Sequence, residues 1–349
     1  LSCVVAADGS VYATGFFRQS VQVSGTDPLY AVTSTENNNL NNAFVVKFSA
    51  DGSGEWLRTI NATTAGASSD GYSIDVDVDG SAYVTGVLRK DGVDLDLDLD
   101  VDAAQVEIHS ANQHGRTFFV KLNANGTTEW SHSWGGDAGT HGQAVVVNNA
   151  GEIVVGGWTN PAIMDLDPAD DGDDTTDTDE LIVLADGDGF YKKRQAWMSK
   201  FDKGGDLIWG NTFGSKWETI IRGLAVDAAD NVYATGTTGI AGKTATGGNW
   251  QTDETLAPIT PSGIKHRDIF TAKFDSTGTT EWVNIYGGHN KGNLHGYGIA
   301  VAGDIVYTAG RYRNTVDFSR GTDSGAVIDA GSKDDPFVVR HNTDGSFVC

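Results

Sequence analysis

Apolar and polar positions alternate along this chain in short runs that return in a fixed order, and one run organises the rest. Phe44-Val45-Val46-Lys47-Phe48 leads through a polar turn at Asp51-Gly52 to Glu55-Trp56. The arrangement returns at Phe118 to Trp130, Ala196 to Trp209 and Ile269 to Trp282, each time with a lysine nine positions before the tryptophan: Lys47, Lys121, Lys200 and Lys273. A fifth run, Phe337-Val338-Val339-Arg340, reaches the same offset at Cys349. Upstream lies a second landmark, Tyr12-Ala13-Thr14-Gly15, which reappears as Tyr83-Val84-Thr85-Gly86, Tyr233-Ala234-Thr235-Gly236 and Tyr307-Thr308-Ala309-Gly310. The third copy has Val154-Val155-Gly156-Gly157 and loses the aromatic. Ahead of each comes an apolar run closed by a polar turn, as at Ile74 to Val78 and Leu224-Ala225-Val226. β-Branched and aromatic runs bounded by Gly, Asp and Asn predict strands. The order is short strand, turn, short strand, variable stretch, strand, turn, strand.

Four antiparallel strands cannot bury both faces alone, so such a unit must stack on copies of itself. Five copies predict an all-β chain folded as a five-bladed β-propeller of four-stranded blades, at about 1–60, 61–136, 137–215, 216–288 and 289–349. An arc of a larger propeller is the alternative, because Leu1 falls inside what the other copies show as a strand and reads as the start of a processed or partial chain. Loss of the Gly-Gly pair that follows the fourth tryptophan, at Gly287-Gly288, argues for termination after the fifth copy. Units of about seventy residues exceed the usual blade of about forty to fifty. The excess sits in inserts between the second and third strands, for example Arg89 to Arg116 and Asn160 to Arg194, where surface individuality is expected.

Gly223 to Gly236, with Phe270 to Asp275 and Glu281-Trp282 running on to Gly287-Gly288, resembles the SBBP type of β-propeller repeat of bacterial secreted and surface proteins. The resemblance covers all five copies, nearly the whole chain outside the inserts. It implies a propeller whose first strands line a central channel and whose tryptophan strands lie outermost, in an extracellular or cell-surface protein. It carries over no catalytic residue. The third copy departs from it at the aromatic, and the fifth lacks the tryptophan.

Hydrophobic content of 39% is enough for a core, and Gly 45 against Pro 6 suits many tight turns. A formal charge of -23 argues against nucleic acid as a partner, since phosphate backbones need lysine and arginine stripes. No run of eighteen apolar residues predicts a membrane-spanning helix. Asn61-Ala62-Thr63 and Asn125-Gly126-Thr127 are glycosylation acceptors if the host secretes through a eukaryotic route. Cys3 and Cys349 bracket the chain and invite a ring-closing disulfide. Strand order objects, placing Cys3 innermost and Cys349 outermost, beyond the reach of a disulfide. Two separate thiols and an intermolecular bond are the alternatives.

Val93 to Asp102 alternates aspartate with aliphatics, so Asp94, Asp96, Asp98 and their neighbours would share one face of a strand. Solvation of an edge strand accounts for such a row, and calcium is the ion that carboxylates in flexible numbers would hold. The third insert is denser in acid, with Asp165, Asp167, Asp170, Asp171 and Asp173, and can wrap an ion. Asp75-Val76-Asp77-Val78-Asp79-Gly80 begins like an EF-hand loop, but its twelfth position is Gly86, so these aspartates read as strand residues. The eight histidines fall in no His-Glu-x-x-His pattern, and no nucleophile elbow, P-loop or Cys-x-x-Cys occurs. His132, His141, His289 and His295 are loop candidates near a channel mouth. Trp134, Trp158, Trp197, Trp217 and Trp250 stand outside the repeat positions as ligand platforms or packing residues.

These features predict a non-catalytic extracellular propeller, a structural or assembly subunit of a surface or filamentous structure stabilised by calcium. Its partners would be copies of itself, other surface proteins or glycans, with no nucleic acid and no membrane insertion. A carbohydrate- or protein-binding adhesion module is one alternative, and a propeller hydrolase or lyase with a site at the channel mouth is the other.

Overall fold

A computed structural model describes residues 2–23, 31–33, 40–60, 66–90, 115–135, 139–160, 163–166, 181–183, 194–213, 218–239, 267–287, 294–319 and 326–349. Among these the chain is all-β, with no α-helix. In chain order the strands are β1 (Ser2–Val5), β2 (Val11–Phe17), β3 (Ser20–Gln22), β4 (Ala31–Thr33), β5 (Asn42–Phe48), β6 (Gly54–Ile60), β7 (Ser68–Val76), β8 (Ala82–Arg89), β9 (Arg116–Leu122), β10 (Thr128–Trp134), β11 (Thr140–Val147) and β12 (Ile153–Thr159). They continue as β13 (Ile163–Asp165), β14 (Leu181–Val183), β15 (Gln195–Phe201), β16 (Leu207–Phe213), β17 (Thr219–Val226), β18 (Val232–Gly239), β19 (Arg267–Phe274), β20 (Thr280–Tyr286), β21 (His295–Ala302), β22 (Ile305–Asp317) and β23 (Val327–Asn342).

Four four-stranded sheets follow one another, β1-β2-β5-β6, β7-β8-β9-β10, β11-β12-β15-β16 and β17-β18-β19-β20. The fifth sheet, β21-β22-β23, has three strands where the repeat predicts four. Its fourth position holds only a bridge from Phe347 to His341 and the backbone bonds of Val348 and Cys349 to Arg340. Cys349 thus meets Arg340 as each tryptophan meets its lysine, but without an indole to extend the contact. The inserts leave where expected, after the second strand. They begin as the hairpins β3–β4 and β13–β14, and in the fifth sheet as a ribbon that prolongs β22 and β23.

The chain divides into two compact units, Leu1–Val155 with Ala162–Val183 and Lys200–Ile208, and Gly156–Pro161 with Leu184–Ser199 and Trp209–Cys349. In the first unit β7 lies against β1, β2 and β5, and β11 against β7, β8 and β9. Both faces of the second sheet are therefore covered, which is why β8 and β9 are buried almost throughout instead of alternately. In the second unit β21 lies against β17, β18 and β19.

Register explains the nine-residue offset. Phe48 pairs with Gly54 and Lys47 with Trp56, so Glu55 is an extra, bulged residue. The same slip places Glu129 and Glu281 between the paired positions. A bulge re-aims its side chain, and here the glutamate reaches the lysine: Lys47–Glu55 2.9 Å, Lys121–Glu129 2.7 Å and Lys273–Glu281 2.6 Å. The landmark tyrosine completes the row on the other side, as Tyr12 opposite Lys47, Tyr83 opposite Lys121 and Tyr233 opposite Lys273. In the third sheet, which lacks the tyrosine, Glu152 takes Lys200 at 2.6 Å.

Each tryptophan then clasps the following sheet. Trp56 donates from Nε1 to the carbonyl of Ala124 at 3.0 Å, Trp209 to Ser276 at 3.0 Å and Trp282 to Thr343 at 3.0 Å, all in turns between third and fourth strands. The turn glycine lies on the indole face. At Gly126, whose φ is +79°, an added Cβ would stand 2.7 Å from Trp56. Glycine is needed there both for the left-handed conformation and for the close approach.

Small and large residues also alternate between sheets. Gly71 packs on Thr14, Gly142 on Thr85 and Gly296 on Thr235, close enough that a Cβ would strike the hydroxyl. The fourth sheet has Ile221 at the place of those glycines, and the partner position holds Gly156 where the others have threonine. A Cβ on Gly156 would stand 3.0 Å from the Ile221 Cδ1. Gly156→Thr is expected to lower stability by about 1–3 kcal/mol, as overpacked cores do, with the paired Gly156→Thr/Ile221→Gly exchange recovering part of the loss. Urea midpoints of both single variants and the double check this, and losses that simply add would show that the positions are not coupled.

Candidate functional site

The first strands carry a feature absent from the repeat pattern. In β7 the register slips between Gly71 and Ser73, in β17 between Ile221 and Gly223, and in β21 between Gly296 and Gly298. The extra residues are Tyr72, Arg222 and Tyr297, at one level of the repeat. Bulges of this kind gather beside functional sites because they redirect a side chain out of the ladder.

In the second unit two of these residues meet. The Arg222 guanidinium lies 5.6 Å from the centre of the Tyr297 ring. Arg311, opposite His295 in the β21–β22 ladder, lies 5.9 Å from the same ring. The His295 imidazole stacks on Tyr297 at 5.7 Å with planes 14° apart. Tyr297 itself stays 45% exposed, so the cluster opens to solvent. His295 Nδ1 sits 3.0 Å from the Thr237 hydroxyl. Further basic groups surround it. Arg267 and Arg194 share Glu218 at 2.8 and 3.5 Å, and Arg311 and Arg313 share Asp334 at 3.0 and 2.7 Å.

The charge does not balance. Among the described residues Arg222 forms no ion pair. Burial pushes its pKa down despite the favourable Tyr297 and Glu218 nearby, and Arg267 and Arg194 add to the push. Burial, followed by Arg222, Arg311 and Arg267, holds the His295 imidazole at about 4, so it is neutral near pH 7. Arg222 Nε, Arg311 Nε and His295 Nε2 are buried without a hydrogen-bond partner among the described residues.

The first unit shows the same construction with its charges matched. Asp70 precedes Gly71 and the bulged Tyr72 as His295 precedes Gly296 and Tyr297. Asp70 accepts from Arg89, from Asn41 at 2.6 Å and from the Tyr72 hydroxyl at 3.3 Å. Tyr72 stacks on His141 of β11 at 6.3 Å. A carboxylate thus stands at the position that histidine occupies in the fifth sheet.

Several expected sites lie elsewhere or beyond view. Asp94, Asp96, Asp98, Asp167, Asp170, Asp171, Asp173, Asn61, His289, Trp217 and Trp250 lie outside the described residues. Asp165 ends β13 opposite Leu181. Among the described residues no group of three or more His, Cys, Asp or Glu is placed to hold a metal ion. Asp77 caps the β7–β8 turn, its Oδ1 accepting from the amides of Asp79 and Ser81, and Asp75 accepts from the Val147 amide at 2.8 Å. Asn125 is exposed in the β9–β10 turn. Cys3 and Cys349 are exposed free thiols. The loop assignment of His132, His141 and His295 is corrected: they lie in β10, β11 and β21, His295 buried between sheets. Trp134, Trp158 and Trp197 are buried and offer no platform. The bulged row was missed, although its trace is present in Asp70-Gly71-Tyr72, His141-Gly142-Gln143 and His295-Gly296-Tyr297 at a near-constant distance before the landmark glycine.

No known protein family matches the chain, and no curated protein matches it. Among solved structures it is similar to the rhamnogalacturonan lyase YesW, with 11% identity over 99% of this chain and 74% of that one at a TM-score of 0.25. The exotype rhamnogalacturonan lyase YesX has 13% identity over 100% of this chain and 74% of its own, with a TM-score of 0.24.

Proposed function

We propose that the protein is a five-bladed β-propeller of the extracellular type its repeat resembles, and that it serves as a non-catalytic binding module. The observation that carries this reading is the recurrence of a bulge at one level of the first strands, with Tyr72, Arg222 and Tyr297 turned out of their ladders. Stacking of first strands on the preceding sheets supports the radial arrangement. Binding is preferred to an assembly role because the cluster opens to solvent at Tyr297 and leaves Arg222 without an ion pair among the described residues, as a surface awaiting a partner would be.

An array of immobilised neutral and acidic oligosaccharides tests the reading. Saturable binding is expected, abolished by Tyr297→Ala, from a protein that elutes as a monomer with or without EDTA. A silent array together with EDTA-sensitive oligomers would sink it in favour of a surface-assembly subunit. Calcium belongs to the proposal only through the insert aspartates. If they hold it, EDTA is expected to lower the Tm and added calcium to restore it.

A further inference from the structure

We propose that the cluster of Arg222, His295, Tyr297 and Arg311 is a binding site for an oxyanion, a carboxylate, sulfate or phosphate group carried by the ligand. The inference rests on the binding-module reading and names the chemistry of its ligand.

Three observations converge on it. The first is hydrogen bonding: Arg222 Nε, Arg311 Nε and His295 Nε2 are buried and unpartnered among the described residues. When His295 Nδ1 accepts from the Thr237 hydroxyl, the imidazole proton sits on Nε2, and all three orphan nitrogens are donors. Buried donors are ordinarily satisfied, and a cluster of exceptions calls for an acceptor. The second is charge. Arg222 has no carboxylate among the described residues, and both nearby acids are already shared, Glu218 between Arg194 and Arg267, Asp334 between Arg311 and Arg313. A half-buried guanidinium without a counter-ion is costly unless a ligand supplies one. The third is the internal comparison. In the second sheet the same bulge is neutralised from within, Asp70 accepting from Arg89. In the fifth sheet His295 stands at that position, and no described residue supplies Arg222 with a paired negative group.

The geometry suits a planar or tetrahedral oxyanion. Arg222 and Arg311 flank one ring, at 5.6 and 5.9 Å from its centre, and guanidinium forks pair with carboxylate, sulfate and phosphate oxygens through parallel hydrogen bonds. The surrounding chain carries a formal charge of -23. Anions are therefore repelled elsewhere, which makes a local basic site selective.

The test uses the full chain, with sodium sulfate, sodium phosphate and sodium acetate titrated calorimetrically at an ionic strength held constant with sodium chloride. A saturable heat is expected with at least one of the three, and Arg222→Met is expected to weaken it at least about tenfold. In chloride alone Arg222→Met should melt at or above the wild-type temperature, because an unpaired, half-buried charge has been removed. Arg222→Lys, which keeps a charge but not the fork, folds independently of that outcome and should bind with intermediate strength. Absence of saturable heat from all three anions would overturn the proposal. So would wild-type binding by Arg222→Met, or by Arg222→Lys if the methionine variant does not fold. Anion binding with a silent oligosaccharide array would leave this site standing and remove only the saccharide. Array binding to neutral sugars without anion heat would do the reverse.

Discussion

Alanine at Gly236 is expected to destabilise the protein by about 3–5 kcal/mol, far more than a methyl group on a strand usually costs. Gly236 pairs with Ile221, the residue just before the Arg222 bulge. The bulge drives the Ile220 carbonyl over Gly236, so that an added Cβ would lie 1.9 Å from that oxygen and 2.9 Å from the Phe270 ring. The obstacle is backbone held in a ladder, and no rotamer change relieves it. A Cβ added at Gly86 or Gly310 would likewise lie 1.9 Å from the Asp70 carbonyl or 2.0 Å from that of His295. The landmark glycine is therefore the counterpart of the bulge, and through it of the candidate site. Gly52→Ala is the control: its φ is +87°, yet nothing lies within 4 Å of the added methyl. It should cost only about 1–2 kcal/mol, the left-handed penalty. Urea denaturation followed by tryptophan fluorescence compares the two. Equal losses would refute the role assigned to the bulge.

Asparagine at Asp268 is expected to do the opposite and stabilise the protein at neutral and alkaline pH. Asp268 opens the buried part of β19 opposite Thr238, and burial pushes its carboxyl from the ordinary 3.8 to about 7. Its folded pKa is raised, so between those values the folded chain keeps a proton that the unfolded chain has lost. The linked stability is fully present below pH 3.8 and is lost as pH rises through about 7. The loss amounts to about 4 kcal/mol. Asp268→Asn keeps the shape without the charge. It should match the wild type near pH 4 and exceed it by up to about 4 kcal/mol at pH 8. Melting temperatures across that range provide the measurement, and parallel curves for the two proteins would exclude the effect. His295 acts in the other direction. Its pKa is depressed to about 4 from 6.5, so its share of stability is lost as pH falls between those values, in wild type and variant alike. The difference between the two curves isolates Asp268.

The strands themselves were legible in the sequence because the forces that define them are local. A turn such as Asn123 to Thr127 closes on its own side chain, with Asn123 Oδ1 accepting from the amides of Asn125 and Thr127, and β-branched runs on either side need only that turn to pair. The constant spacing of lysine and tryptophan therefore survives four insert lengths. It could be read as a hairpin without knowing what the hairpin touches. Tertiary structure decided the rest. That Tyr12, Lys47 and Trp56 form one row, that Glu55 is the bulged residue, and that the Trp56 indole bonds to Ala124 of the next sheet are properties of pairs of strands. A single strand does not encode its register. The open charge around Arg222 lay further out of reach. It depends on which acids arrive beside which bases, and distance along the sequence does not fix that. Only packing reveals that Asp70 neutralises one cluster while in the second Glu218 pairs with Arg267 and Asp334 with Arg311, leaving Arg222 without a carboxylate among the described residues.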